Sequence, residues 1–125
     1  MNGRSSGARG QSAVELALAL PLIAVFALAI VQVALVARLE VGVAHAAREA
    51  ARAVAIEHDI DAAGRAAANA AGLDPARVSV AVSGAVRPGG TVAVTVTYSA
   101  PTDVALVGRL VGDVELRATT VMRVE

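Results

Sequence analysis

The pattern of apolar and polar positions passes through three regimes along the chain. From Leu16 to Ala37 it runs 22 residues without a charge, broken only by Pro21 and Gln32. As a helix, that run reaches about 33 Å at roughly 1.5 Å per residue, matching a hydrocarbon core of roughly 30 Å. A small chain could hardly bury such a helix on all sides, so the run is expected to span a membrane. Pro21 falls in its first turns, where a missing helical hydrogen bond is best tolerated.

Beyond Ala37 the period becomes that of a one-sided helix, expected to continue to about Glu57. Val43, Ala46, Ala47, Ala50 and Val54 share one side at three- and four-residue spacing, and His45, Arg48, Glu49 and Arg52 share the other. His45 and Glu49, one turn apart, are placed to pair weakly. Asp59 or Asp61 can cap a second, Ala-rich helix ending near Ala71, with Gly72 as its stop.

After Asp74-Pro75 the period falls to two. Val78, Val80 and Val82 alternate with Ser79, Ala81 and Ser83. Val92, Val94, Val96 and Tyr98 alternate with Thr91, Ala93, Thr95 and Thr97. Val114, Leu116, Ala118 and Thr120 alternate with Glu115, Arg117, Thr119 and Val121. Separated by turn chemistry such as Arg87-Pro88-Gly89-Gly90, these segments predict a roughly three-stranded antiparallel sheet with one face buried against the Ala-rich helices. In the connection from Pro101 to Gly112, a short helical turn around Val104–Leu110 is expected, with Leu106, Val107, Leu110 and Val111 capping the core. The fold class is α+β, in three parts: a basic leader (1–10) open to cleavage, a transmembrane helix (11–37) and an extracytoplasmic α+β domain (38–125).

Composition narrows the function. The 125 residues leave room for one small folded unit beside an anchor. All eleven basic residues are Arg, balanced by eleven acidic ones, so no net field draws in nucleic acid. The absence of cysteine removes disulfides, thiolate catalysis and Cys-based metal sites. His45 and His58 lie in no nucleophile or metal motif, and His58-Asp59-x-Asp61 reads as solvated turn residues. The expectation is a non-enzyme with no catalytic residues, cofactor or metal.

Charge also sets direction. Arg4 and Arg9 precede the apolar run with no acid before Glu15, whereas Arg38 and Glu40 nearly cancel after it. The positive-inside rule puts the N-terminus in the cytoplasm and residues 38–125 outside. A cleaved secretory signal would need an apolar region of about 7–15 residues and a nearby small-x-small site. The run here is longer, and Ala44-His45-Ala46 lies well past its end.

Glu15 breaks the pattern, standing at the mouth of the apolar helix between Val14 and Leu16. A carboxylate there is costly unless it is paired or snorkels to the interface. It is also the fifth residue after Gly10, which closes the basic leader. Gly3 and Gly7 fail this spacing, having Ala8 and Ser12 at their fifth positions. The arrangement resembles the processing site of type IV prepilins, where a membrane aspartyl peptidase cuts after the glycine. Cleavage would expose an α-amino group at Gln11, which the Glu15 carboxylate of a neighbouring subunit could neutralise.

The stretch from Arg9 through Gly10-Gln11-Ser12-Ala13-Val14-Glu15-Leu16 to Pro21-Leu22 resembles the start of the TadE-like family, minor pseudopilins of the tight-adherence (Flp) pilus machinery. So does Ala46-Ala47-Arg48-Glu49-Ala50-Ala51-Arg52, and the closing Ala118–Glu125 is similar to that family's terminal strand. Leu16 stands where Flp-type sites usually carry an aromatic, and Phe26 is the single aromatic of the apolar run. The resemblance implies a pilin-like, structural membrane component, processed between Gly10 and Gln11 with Glu15 as the family glutamate. The implied partners are membrane lipid, other pilins or pseudopilins, the pilus assembly machinery and a prepilin peptidase. Arg48, Glu49 and Arg52 are either a solvated face or a contact with a partner subunit. The alternative is an unprocessed, single-pass anchored domain that binds an envelope partner.

Overall fold

The computed structural model describes residues 5–70, 72–102 and 107–125, and for 5–9 and 107 the backbone only. Its elements are α1 (Ser5–Glu57), α2 (Ile60–Ala70), a 3-10 turn (Pro75–Arg77), β1 (Val78–Gly84), β2 (Thr91–Ala100), α3 (Val107–Val111) and β3 (Val114–Arg123). The sheet has the order β1-β2-β3 and is antiparallel throughout. A long N-terminal apolar helix, a shorter second helix and a three-stranded antiparallel sheet make the fold α+β, as the periodicities predict.

The C-terminal half of α1 and all of α2 lie across one face of the sheet, α1 over β2 and β3 and α2 against β1. The expected inner side of α1 is the one buried: Val43, Ala46, Ala47, Ala50 and Val54 have almost no solvent exposure. Alanine there lets the helix approach closely, so the valines of β2 fill the layer between. Val92, Val94, Val96 and Tyr98 all point inward from β2, while Thr95 and Thr119 bond across the outer face at 2.8 Å. Strand register follows the alternation, with Val82 opposite Val94 and Val96 opposite Ala118.

The junctions are local chemistry. At the end of α1, His58 takes the left-handed conformation (φ 56°) that glycine usually supplies, and its amide closes on the Val54 carbonyl. Its ring Nε2 lies 3.1 Å from the Glu125 carbonyl oxygen, tying this corner to the end of the chain. Asp59 is the cap of α2, its carboxylate accepting from the Asp61 amide at 3.0 Å. Asp59 also meets Arg65, which reaches Glu57 as well. The expected end of α2 at Ala71 lies outside the described residues, and Gly72 is left-handed (φ 61°), as a stop requires. The hairpin tip between β1 and β2 is clamped to the chain end: the Gly89 amide donates to the Val124 carbonyl, and the Val124 amide to that of Gly90.

Two glycines give opposite expectations. Gly84 is left-handed (φ 105°), and a Cβ there would collide with the Thr91 carbonyl; around Gly64, in α2, a Cβ would meet nothing. Gly84→Ala is expected to destabilise the fold by about 1–3 kcal/mol. Gly64→Ala should stabilise it by up to about 1 kcal/mol through helix propensity. Tyr98 is the single tyrosine and is buried, so its fluorescence during urea titration of the solubilised chain reads both. A Gly84→Ala midpoint equal to wild type would remove the steric explanation.

The connection before β3 corrects one expectation. The helical turn is present as α3, but Leu110 is 86% exposed and Val111 62% exposed, so neither caps the core. Leu106 and the Val107 side chain lie outside the described residues. The reason is geometric. Gly108 is pressed so closely to the Thr102 carbonyl that a Cβ would collide with it, the Thr102 hydroxyl donates to the Gly112 carbonyl, and Gly112 turns out left-handed. Those contacts fix α3 with Leu110 and Val111 outward, and Leu116, Leu73 and Val124 help close the core instead.

Candidate functional site

From Leu16 to about Ala29, α1 is apolar and uncovered. Leu16, Leu18, Leu22, Ile23, Phe26, Ile30 and Val33 are all exposed, and they lie around the helix rather than along one stripe. Among the described residues, α1 alone is long and apolar enough to cross a membrane. Pro21 sits inside it without breaking it, although the proline removes one amide from the helical ladder. Around Ala29 the character changes. Ala29, Gln32, Val36 and Leu39, at three- and four-residue spacing, become partly or fully covered, and the buried side that holds the sheet continues from them.

At the other end, the helix is already formed at Gly10, so the Gly10–Gln11 bond lies within a helical turn. Gly10 is exposed, and around it a Cβ would touch nothing. A glycine inside a helix costs roughly 1 kcal/mol relative to alanine, so this turn is held less firmly than an alanine would hold it. One turn on, the Gln11 side-chain amide donates to a Glu15 carboxylate oxygen at 3.5 Å. Gln11 and Glu15 therefore share one exposed helical face, with Gly10 exposed immediately before it. Of the leader arginines, Arg4 and the side chain of Arg9 lie outside the described residues.

The second group sits five turns beyond the uncovered section. Arg48 and Arg52 are exposed and Glu49 is half-buried, all opposite the side that packs on the sheet. The expected His45–Glu49 pairing is not formed among the described residues. Such exposed pairs are worth only a few tenths of a kcal/mol, too little to hold two side chains that packing leaves free. Arg52 borders a shallow depression with Ile56, Met122, Arg123 and Glu125. The glycine–glutamate group and this arginine group are thus separated along one helix and do not form a single site.

One feature escaped the sequence reading. Gln32 is 7% exposed, and its Oε1 has no partner among the described residues. A polar residue inside an apolar run was the only signal, and nothing local indicated that β3 and α3 would cover it.

The sequence profile of the TadE-like protein family matches residues 10–52. This segment is TadE-like. The match holds both stretches that carry the resemblance at the front of the chain, with Gly10, Gln11 and Glu15 at one end and Arg48, Glu49 and Arg52 at the other; the closing strand lies beyond it. No curated protein and no solved structure matches the chain. The likeness is to a family of pilus assembly, and it lies within α1. In the fold, the TadE-like segment is the uncovered apolar section of α1 plus the first turns that pack on the sheet.

Proposed function

We propose that the chain is a minor pseudopilin: a single-pass component of the tight-adherence pilus machinery whose first helix is both membrane anchor and assembly element. The observation that carries this reading is the continuity of α1. One helix is apolar and uncovered on all sides up to about Ala29, then one-sided where the sheet begins. An uncovered apolar helix needs either lipid or other helices around it, and a pilus subunit meets both in turn. The N-terminus lies in the cytoplasm and the α+β part outside, following the Arg4 and Arg9 charges. A prepilin peptidase cuts between Gly10 and Gln11. The freed amine is then neutralised by a neighbour's Glu15.

Photo-crosslinking in the bacterial envelope tests the assembly role. A photoreactive residue at Leu22 or Ile23, both exposed in the middle of the uncovered section, is expected to capture pilin-type subunits of the same machinery. The same probe at Ala81, on the outer face of β1, should capture none. Identical products from both positions would contradict helix-mediated assembly and favour an anchored domain that is never incorporated.

A further inference from the structure

We propose that α3 is a second membrane contact, with Leu110 and Val111 resting in the bilayer boundary beside the point where α1 leaves it. This rests on the reading of α1 as a membrane anchor. Three observations lead to it.

The first is depth. A groove of about 390 Å³ runs between α1 and the start of β3, and its walls include Gln32, Val33, Val36 and Ala37 on one side and Val111 and Val114 on the other. Gln32 lies five residues inside the end of the uncharged run, about 7 Å at 1.5 Å per residue. Val111 is therefore level with the last turns of the span, where a lipid interface would be.

The second is presentation. Leu110 is the most exposed large apolar side chain among the described residues outside α1, and Val111 beside it is 62% exposed, yet the helix that carries them is pinned. Gly108 is packed against the Thr102 carbonyl with no room for a Cβ, the Thr102 hydroxyl donates to the Gly112 carbonyl, and the Gly112 amide donates to the Gly108 carbonyl at 3.2 Å. A fixed turn that holds leucine and valine outward in water is unfavourable; at an interface the same turn is favourable. Arg109, exposed and immediately before Leu110 in sequence, has a stem long enough to lift its guanidinium to the phosphates.

The third is Gln32. Its amide lies in the apolar run, buried in the same groove with Oε1 unpartnered. With α3 in the interface, the wall formed by Val111 and Val114 separates this amide from acyl chains, where an exposed polar group would be costly.

The chain has no cysteine, so single-cysteine labelling is clean. Leu110→Cys, Leu22→Cys and Val121→Cys in the full chain are each labelled with the environment-sensitive dye NBD. The proteins are then reconstituted into phosphatidylcholine–phosphatidylglycerol vesicles, with or without lipid spin-labelled near the headgroup end of its acyl chain. Val121 is exposed on β3, seven residues past Val114 and so about 23 Å away. The expected result is a blue-shifted Leu110 probe losing emission several-fold with spin-labelled lipid, while the Val121 probe stays red-shifted and unquenched. If the Leu22 probe is quenched but the Leu110 probe behaves like Val121, α3 does not touch lipid and the proposal fails while the anchor stands. A blue-shifted Leu110 probe that lipid does not quench means a protein neighbour covers it, and this also overturns the proposal. An unquenched Leu22 probe overturns the anchor itself, and the α3 proposal with it.

Discussion

Glu15→Ala is expected to insert into the membrane as well as wild type while pilus assembly falls about tenfold or more. Within the chain, the Glu15 carboxylate has little to do: it accepts one long hydrogen bond from the exposed Gln11 amide. Holding an ionised group at the edge of an apolar run is a cost to insertion, so its removal does not impair anchoring. The loss appears only between subunits, where the new amine at Gln11 would enter the helix bundle without a counter-charge. A tenfold change needs only about 1.4 kcal/mol, less than a close charge pair supplies even at a partly screened protein surface. Glu15→Gln separates charge from shape, because it keeps a polar side chain able to bond Gln11. Pilus subunits sheared from cells and quantified by immunoblot give the readout beside membrane-fraction levels of the chain. Normal piliation in either variant would contradict the pairing of Glu15 with an amine.

Ala50→Asp is the second large effect, and it acts on the other half of α1. Ala50 has no solvent exposure and packs in the thin layer between helix and sheet. A carboxylate there has neither water nor a counter-ion. The penalty for burying it runs to several kcal/mol even after relaxation, comparable to the total stability of about 5–15 kcal/mol of a small domain. The α+β part should lose cooperative unfolding and become protease-sensitive, while the uncovered section of α1 still partitions into membrane. Ala81→Asp, the same substitution on the exposed outer face of β1, should change stability by less than about 0.5 kcal/mol. Limited proteolysis of envelope fractions compares the two. Equal resistance of Ala50→Asp and wild type would mean that α1 does not pack on the sheet.

Most of this fold was legible in periodicity. Where one face of an element is buried, the sequence must repeat at 3.6 or 2.0 residues, and residues 43–54, 78–83, 91–98 and 114–121 do so with little ambiguity. At the front of the TadE-like segment, Gly10 and Glu15 stand out in the sequence for a different reason: they contradict their surroundings. What stayed hidden depends on contacts distant in sequence. Leu110 and Val111 have the composition of core residues, and only the fit of Gly108 against Thr102 turns them outward. Gln32 looked like an interruption of the apolar run; its burial requires β3, more than eighty residues later, to return beside it. His58 offered no glycine signal for the left-handed turn it makes, which the Glu125 carbonyl helps to hold.

The uncovered section of α1 connects these results. It is the anchor in the proposed function, the surface that meets other subunits and the reference for the depth of α3. Its first residues decide whether it is a pseudopilin helix or only an anchor. The most direct measurement is the intact mass and N-terminal sequence of the protein purified from the envelope of its own cells. A mature chain beginning at Gln11 is the expected result; a chain that keeps residues 1–10 in cells with an active prepilin peptidase would contradict it.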